Sequence, residues 1–489
     1  MINIGNRREL FVDNYLIDEE KTTAAAVVHK PVKRDVAFVH DAQWETQGAA
    51  YHNIVITPEG KRYMYYKSMH QDIKPDGADA TMRRICVIES EDGLNWSRPQ
   101  LAITPIFGKR IDAATNNVIS GLYDYYDNMF VFYDTNPNCP EDERFKAVYG
   151  EWGTGMFGYV SADGINFRFH PGENIHEMMH NSLMISGKDS GCYFDSLNTV
   201  YYNHEIGKYV AFVRGFHVGD DFYPPDPDVD DAVRDIRYTI SDDFWHWSYP
   251  KVFNYNDDYD YQLYANAIAP YYRAPHIYCA TPTRYVAWPE WIDSFEKLPN
   301  AEERRGRHRG KSMNDAIFMS SRDGQNWFRY GEAFMTAGPE HHSNWKYGDC
   351  YPCVGFTETP GEIKGTDPYL SMFCKEDHDG EPTKLYRYSL RLDGFVSRTA
   401  TLKPQILVTK PFVYEGKELE INFETSALGY MKFKLRDNEG NEIYSREVMG
   451  DKVDRIVGFE NGTPADLSGK EVVMEIEMSD ASIYSFKFN

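Results

Sequence analysis

Cysteine is scarce in this chain, and no surplus of basic residues is present. Seven cysteines are scattered through 489 residues. An odd number without regular spacing argues against a disulfide framework and fits a reducing compartment. No apolar run approaches the ~20 residues of a membrane span. Met1-Ile2-Asn3-Ile4-Gly5-Asn6-Arg7-Arg8 carries no apolar stretch after its basic residues, so a secretory leader is not expected and the expected location is the cytoplasm. Acidic residues outnumber basic ones to give a formal charge of −23, which disfavours nucleic acid and anionic membranes as partners because their phosphates would be repelled. The same surplus weighs against polyanionic substrates, which only a local basic pocket would override. Composition leaves homo-oligomerisation open.

Familiar catalytic motifs are missing too. There is no Gly-x-Ser-x-Gly elbow and no glycine-rich phosphate loop. Cys350-x-x-Cys353 has no second cysteine pair or His-x-His partner at zinc spacing, so no metal site is expected there. The acidic runs Asp226 to Asp231 and Asp257-Asp258-Tyr259-Asp260 lack the glycine that a calcium loop needs at its sixth position. No cofactor is expected, and a structural cation such as calcium has no motif behind it.

What is present is a turn that recurs. Ser90-Glu91-Asp92-Gly93-Leu94-Asn95-Trp96 returns as Ser161-Ala162-Asp163-Gly164-Ile165-Asn166-Phe167, Ser241-Asp242-Asp243-Phe244-Trp245-His246-Trp247 and Ser321-Arg322-Asp323-Gly324-Gln325-Asn326-Trp327. A degenerate fifth copy is Arg391-Leu392-Asp393-Gly394-Phe395. Their first residues lie 71, 80, 80 and 70 positions apart. A period of this size with strand-like segments before each copy predicts a radially repeated all-β fold, a five-bladed β-propeller. In the first repeat the strands are read at Tyr51 to Ile56, Tyr63 to Tyr66, Ile85 to Ile88 and around Trp96. The second element returns as Phe130 to Tyr133, Tyr209 to Val213, Ile277 to Ala280 and Tyr369 to Phe373, with blade boundaries near 118, 194, 264 and 349. The turn Ser and Asp are read as structural, since short polar side chains hold tight turns through backbone amides. The signature resembles the Asp-box of sialidases with one residue fewer between Asp and Gly.

Three regions follow. Residues 1–40 close or cap the propeller, 41–400 form it, and 401–489 read as a C-terminal β-sandwich of short strands at Leu419 to Phe423, Met431 to Leu435, Val472 to Met478 and Ile483 to Phe486. A five-bladed propeller followed by a sandwich resembles the glycoside hydrolases of families 32, 43 and 68, which cleave fructofuranosides, arabinofuranosides and xylosides. The Trp-Met-Asn-Asp-Pro-Asn-Gly, Arg-Asp-Pro and Glu-Cys signatures of fructosidases are absent. Phe11-Val12-Asp13-Asn14-Tyr15-Leu16-Ile17, Phe194-Asp195-Ser196-Leu197-Asn198 and Arg273-Ala274-Pro275-His276 resemble an uncharacterised glycosidase-like group of bacterial propeller proteins.

Inner strands of a propeller start at one mouth of its channel, where ligand chemistry is expected. Glycoside cleavage needs two carboxyl groups flanking the scissile bond. Carboxylates at strand starts are Glu45, Asp195 and Asp349, taken as catalytic candidates, with Asp315 as a group behind them. Asn117, Asn198 and Asn266 are expected to bond sugar hydroxyls, and Trp44, Tyr264 and Trp345 to stack on rings. His52, Arg273 and His342 complete the expected binding set. The expected activity is hydrolysis of short oligosaccharides or glycosides, with fructosyl or arabinosyl furanosides as the first guess from the resemblance. Two alternatives stand beside it: a carbohydrate-binding propeller without activity, and a lyase or epimerase using Tyr with His341 and His342 on an acidic sugar.

Overall fold

The computed structural model describes residues 1–73, 77–104, 106–107, 110–119, 128–173, 175–224, 231–307, 309–376 and 382–489. Residues 226–230 of the first acidic run therefore lie outside the described residues. The chain is nearly all β, and its sheets have a propeller-like arrangement. Sheet I comprises Ala49–Ile56, Arg62–Ile73 and Asp79–Ser90. Sheet II comprises Met129–Tyr133, Phe145–Glu151, Gly155–Ser161 and Leu183–Ser186. Sheet III comprises Thr199–Asn203, Lys208–His217, Val233–Ser241 and Lys251–Val252. Sheet IV is built on Ile268–Tyr271, Ala274–Ala280, Ser312–Ser321 and Asn326–Met335, and Gln262–Ala265 with Thr283–Ala287 extend it. Sheet V joins Tyr351–Pro352, Thr357–Thr359, Tyr369–Glu376 and Thr383–Arg391 to Val32–His40, so a strand from the start of the chain completes its outer edge.

Neighbouring sheets are tied at their inner strands by asparagine. Asn53 Nδ2 donates to the Val131 carbonyl at 2.7 Å while its Oδ1 accepts from the Val131 amide, linking sheets I and II. Asn128 donates to Phe194 and Asn266 to Leu197, linking II to III and IV to III. Backbone bonds between Val354 and both His52 and Ile54 join sheet V to sheet I. Thr283 Oγ1 of sheet IV donates to the Cys350 carbonyl before sheet V at 3.3 Å, and with it the ring of sheets closes around a channel. Each bond satisfies a backbone group that the strand start would otherwise bury unpaired.

The recurring turns are scaffold. In the first copy the Ser90 hydroxyl accepts from the Gly93 amide at 2.9 Å, and Asp92 Oδ1 accepts from the amides of Leu94 and Asn95, both at 2.8 Å. Asp163, Asp243 and Asp323 repeat the pair of amide bonds. Gly93, Gly164 and Gly324 take positive φ, and each turn leans on its neighbour: Tyr65 of sheet I donates to the Gly164 carbonyl. Trp327 is buried with Phe253 stacked on it at 5.1 Å and Phe212 edge-on at 5.8 Å.

Three expectations are corrected. Residues 117–119 run along the outer edge of sheet I, with Val87 bonded to Asn117 and Ile119 to Ile85, so among the described residues sheet II starts at Met129 rather than near 118, with Phe130 to Tyr133 in its first strand. The short strands expected after 401 merge into two long ones, Leu419–Asp437 and Glu471–Phe488, paired through register shifts at 422–423 and 425–430. Bulges bend these strands at those shifts. Finally, residues before 29 belong with the chain's other end: Ile2–Gly5, Glu9–Leu10 and Ala25–Val28 enter the ten-stranded terminal sheet. Among the described residues no helix is long and apolar enough to cross a membrane.

Candidate active site

Strained backbone marks one mouth of the channel. Tyr51, Phe194, Ala267 and Cys350, at the starts of the inner strands of sheets I, III, IV and V, all have positive φ, between 41° and 57°. Side chains with a Cβ avoid this region, and such strain of about 1–3 kcal/mol apiece gathers where a fold holds side chains for function. His52, Asp195 and Asp349 are the immediate neighbours of these residues.

Of the three candidate carboxylates only Asp195 reaches solvent, its side chain being 28% exposed. Arg214, on the second strand of sheet III, donates to it at 3.1 Å. Asp349 is wholly buried. Glu45 is buried and saturated: it accepts from Tyr66 Oη at 2.5 Å, Arg98 Nη2 at 2.6 Å and the Ala42 amide at 2.9 Å, with His40 Nδ1 at 3.5 Å. Burial would raise its pKa, but His40, Arg98 and Tyr66 together bring it down to about 2. A carboxylate so held serves the scaffold and is neither a proton donor near neutral pH nor open to a sugar.

Most of the expected binding residues share that fate. Trp44 Nε1 donates to Asn117 Oδ1 and Asn117 Nδ2 to Tyr66 Oη. His52 is buried with its Nε2 3.0 Å from His40 Nε2, and burial holds both imidazoles below the ordinary range. Asn198 caps Phe194 and Ser196 and accepts from the Arg214 amide, while Asn266 bridges two strands as described. Arg273 lies away from the mouth, bound to Asp393 at 2.8 Å. Trp345 is held by Gly338, His342 is exposed near Glu303, and Asp315 is clamped by Arg284 at 2.8 and 2.6 Å. Asparagine and tryptophan suit sugar recognition, but buried backbone groups claim them first. Cys350 and Cys353 are buried in different core clusters, on opposite faces of their segment.

Tyr264 stays at the mouth, and around it stand residues that a search for acids passes over. Its hydroxyl is 2.7 Å from that of Tyr347, which also accepts from Arg309 Nη1 at 3.0 Å. The rings of Tyr285, Tyr347 and Tyr351 lie 5.8–5.9 Å from that of Tyr264. Three guanidinium groups face these rings: Arg214 is 5.0 Å from Tyr264, Arg234 5.0 Å from Tyr285, and Arg309 5.0 Å from Tyr347. Lys375 stands 4.9 Å over Tyr351. Burial, and next Tyr264, push the Tyr347 phenol up, so it remains protonated. The sequence signal for Arg214 is an arginine at the end of an otherwise apolar run, Val210-Ala211-Phe212-Val213-Arg214; Arg234 and Arg309 carry no such signal.

The opposite mouth, at the far ends of the inner strands, holds a cavity of about 560 Å³ lined by Ile54, Tyr133, Tyr201, Tyr272 and Phe356, with Arg7 and Glu205 paired at 3.3 Å beside it. Its walls are aromatic and, among the described residues, carry no paired carboxylates. Among the described residues no group of three or more His, Cys, Asp or Glu is placed to hold a metal ion.

No protein-family model matches the chain, and no curated protein matches it in sequence. Solved structures similar to it include a glycoside hydrolase at 12% identity and TM-score 0.44, covering 74% of this chain and 92% of that one. An N-acetylgalactosamine deacetylase from F. plautii in complex with blood group B trisaccharide aligns at 12% identity and TM-score 0.41, covering 75% of this chain and 96% of the other. A fructofuranosidase from Schwanniomyces occidentalis aligns at 10% identity and TM-score 0.38, over 95% and 99%. The activities in those names belong to those proteins.

Proposed function

We propose that this chain is a glycoside hydrolase working at the mouth where the inner strands start. The five sheets are read as five blades and the bent terminal sheet as a sandwich packed on the chain's two ends. The observation that carries the reading is Asp195, a solvent-reaching carboxylate next to strained Phe194 and opposite a wall of tyrosines. Arg214 orients it with a hydrogen bond, and a carboxylate so placed suits a base or nucleophile. Asp349, at the corresponding start of sheet V, is its partner in this proposal, and the protonated Tyr347 hydroxyl is a further donor. Tyr264 and Tyr351 supply faces for a sugar ring.

Purified protein assayed against aryl glycosides and short oligosaccharides tests this reading. Asp195→Asn should fold and lose turnover by roughly 10²–10⁴-fold, because the acid/base step goes while the shape stays. No turnover by the wild type on any substrate, or equal turnover by the variant, would sink it. A second reading, sugar binding without cleavage, is favoured by one fact: two of the three candidate carboxylates are buried. Calorimetric binding with no product would select it.

A further inference from the structure

Arg234 is a buried cation that has no counter-ion among the described residues. It sits on the third strand of sheet III with only 3% of its surface exposed. Its Nη1 donates to Gln262 Oε1 at 2.7 Å, a neutral acceptor, and among the described residues it makes no ion pair. Its charged neighbours are other cations: Arg214 and Arg309 both act on it, and with burial they hold its pKa below the ordinary range. The aromatic faces of Phe216, Tyr264 and Tyr285 surround it at 5.0–5.8 Å. Asp195 is the one carboxylate among the described residues paired within this arginine trio, and it is taken by Arg214.

Burying a guanidinium costs several kcal/mol unless an opposite charge offsets it. Here the fold gathers buried Arg214 and Arg234 and partly exposed Arg309 about one set of tyrosines, with one carboxylate paired among them, in a protein whose formal charge is −23. A chain with so many acids has carboxylates to spare, yet among the described residues none is placed on Arg234 or Arg309. A buried, uncompensated charge in a cleft is how sites for the opposite charge are built. The guanidinium fork also matches a planar or tetrahedral oxyanion with two parallel hydrogen bonds.

We propose that Arg234, with Arg214 and Arg309, binds an oxyanion carried by the sugar, a uronate carboxylate or a sulfate ester, so that the ligand at this mouth is an acidic saccharide. This rests on the mouth being the saccharide site, but not on cleavage taking place there. The acidic surface opposes approach only weakly, since charges beyond about 8 Å are screened at physiological salt. Tyr264, Tyr347 and Arg309 are partly exposed and give the ligand its entrance. The furanosides expected from resemblance are neutral, and nothing in them would compensate Arg234 and Arg309.

Titration calorimetry tests this with three probes of one ring: methyl glucuronide, its uncharged methyl ester, and methyl glucoside 6-sulfate. The wild type should bind one of the two charged probes at least ~10-fold more tightly than the ester, the strength of a charge-assisted hydrogen bond. Whichever charged probe is preferred identifies the oxyanion. Arg234→Gln should erase the preference, and Arg309→Gln should reduce it. Arg234→Gln should also melt no lower than the wild type, because it removes a buried charge that nothing among the described residues offsets; a markedly lower melting temperature would mean a structural role and overturn the proposal. Equal affinity for the ester, or no binding of any probe, would overturn it as well. Tight binding of a charged probe without turnover on any glycoside would leave this inference standing while removing hydrolysis. Turnover of neutral glycosides with no charge preference would do the reverse.

Discussion

Glu45 stands where a catalytic acid is expected and is held as a structural one. Its four contacts lie within 3.5 Å, and Glu45→Gln would leave partly exposed Arg98 with exposed Asp41 as its remaining carboxylate and His40 and Tyr66 facing a neutral amide in a buried site. Removing one partner of a buried pair costs about 3–5 kcal/mol, so the variant should lose that much in urea melts rather than fold normally. The pH dependence has a definite sign. The folded pKa is lowered from 4.5 to about 2, so the stabilisation is present above pH 4.5 and is lost as pH falls through about 2. A shift of this size corresponds to about 3 kcal/mol. Urea midpoints of wild type and variant should therefore be far apart at pH 6, draw together below pH 4.5 and converge only as pH falls through about 2; a gap that stays constant would show that the carboxylate's charge is not what Tyr66 and Arg98 hold. Asp195 is partly exposed and held by Arg214 rather than by four groups, and that exposure is what makes its loss a matter of chemistry.

At the scale of elements, the turns were legible because everything that makes them lies within seven residues. Ser, Asp and Gly at fixed offsets satisfy one another's backbone, so the pattern can be read without knowing what surrounds it. Trp327→Ala should empty the space between Phe253 and Phe212 and cost about 3–5 kcal/mol, with ligand binding per folded molecule unchanged. A melting temperature equal to that of the wild type would show that the aromatic does not tie sheets III and IV together. The site was less legible for the opposite reason. Arg214, Arg234, Arg309 and Tyr264 come from four separate segments, and no local spacing records that they meet. Asparagines mislead for a related reason: a residue at a strand start has the same appearance in sequence whether it bonds a sugar hydroxyl or, like Asn266, the carbonyls of Leu197 and Phe212. The blade frame slips at Asn117 because an outer strand that follows a long excursion reads like the start of the next sheet.

For the whole molecule, the degenerate fifth turn has become the junction of everything else. Asp393, with φ of 60° and no exposure, accepts from Tyr271 Oη and Arg273 Nε of sheet IV, both at 2.8 Å, from Ser485 Oγ at 2.6 Å and from Asn422 Nδ2 at 3.1 Å in the terminal sheet, while Arg8 stands 3.4 Å away. Burial alone would raise its pKa, yet Arg273 and Arg8 hold it below the ordinary range. Departure from the Ser-x-Asp-Gly pattern thus marks a change of role, because the carboxylate that elsewhere folds its own turn here binds three parts of the chain. Asp393→Ala removes the buried carboxylate shared by Arg8 and Arg273, leaving Arg8 with Glu420, a loss of about 3–5 kcal/mol. Because these contacts span the propeller-like sheets and the terminal sheet, the variant should also lose cooperativity. Tryptophan fluorescence reports the sheets numbered I to V, since every tryptophan lies outside the terminal strands, and far-ultraviolet dichroism reports both parts. In the wild type the two probes should give one coincident urea transition; in Asp393→Ala they should separate. Coincident transitions in the variant, at an unshifted midpoint, would show that the terminal sheet is joined to the rest through other contacts.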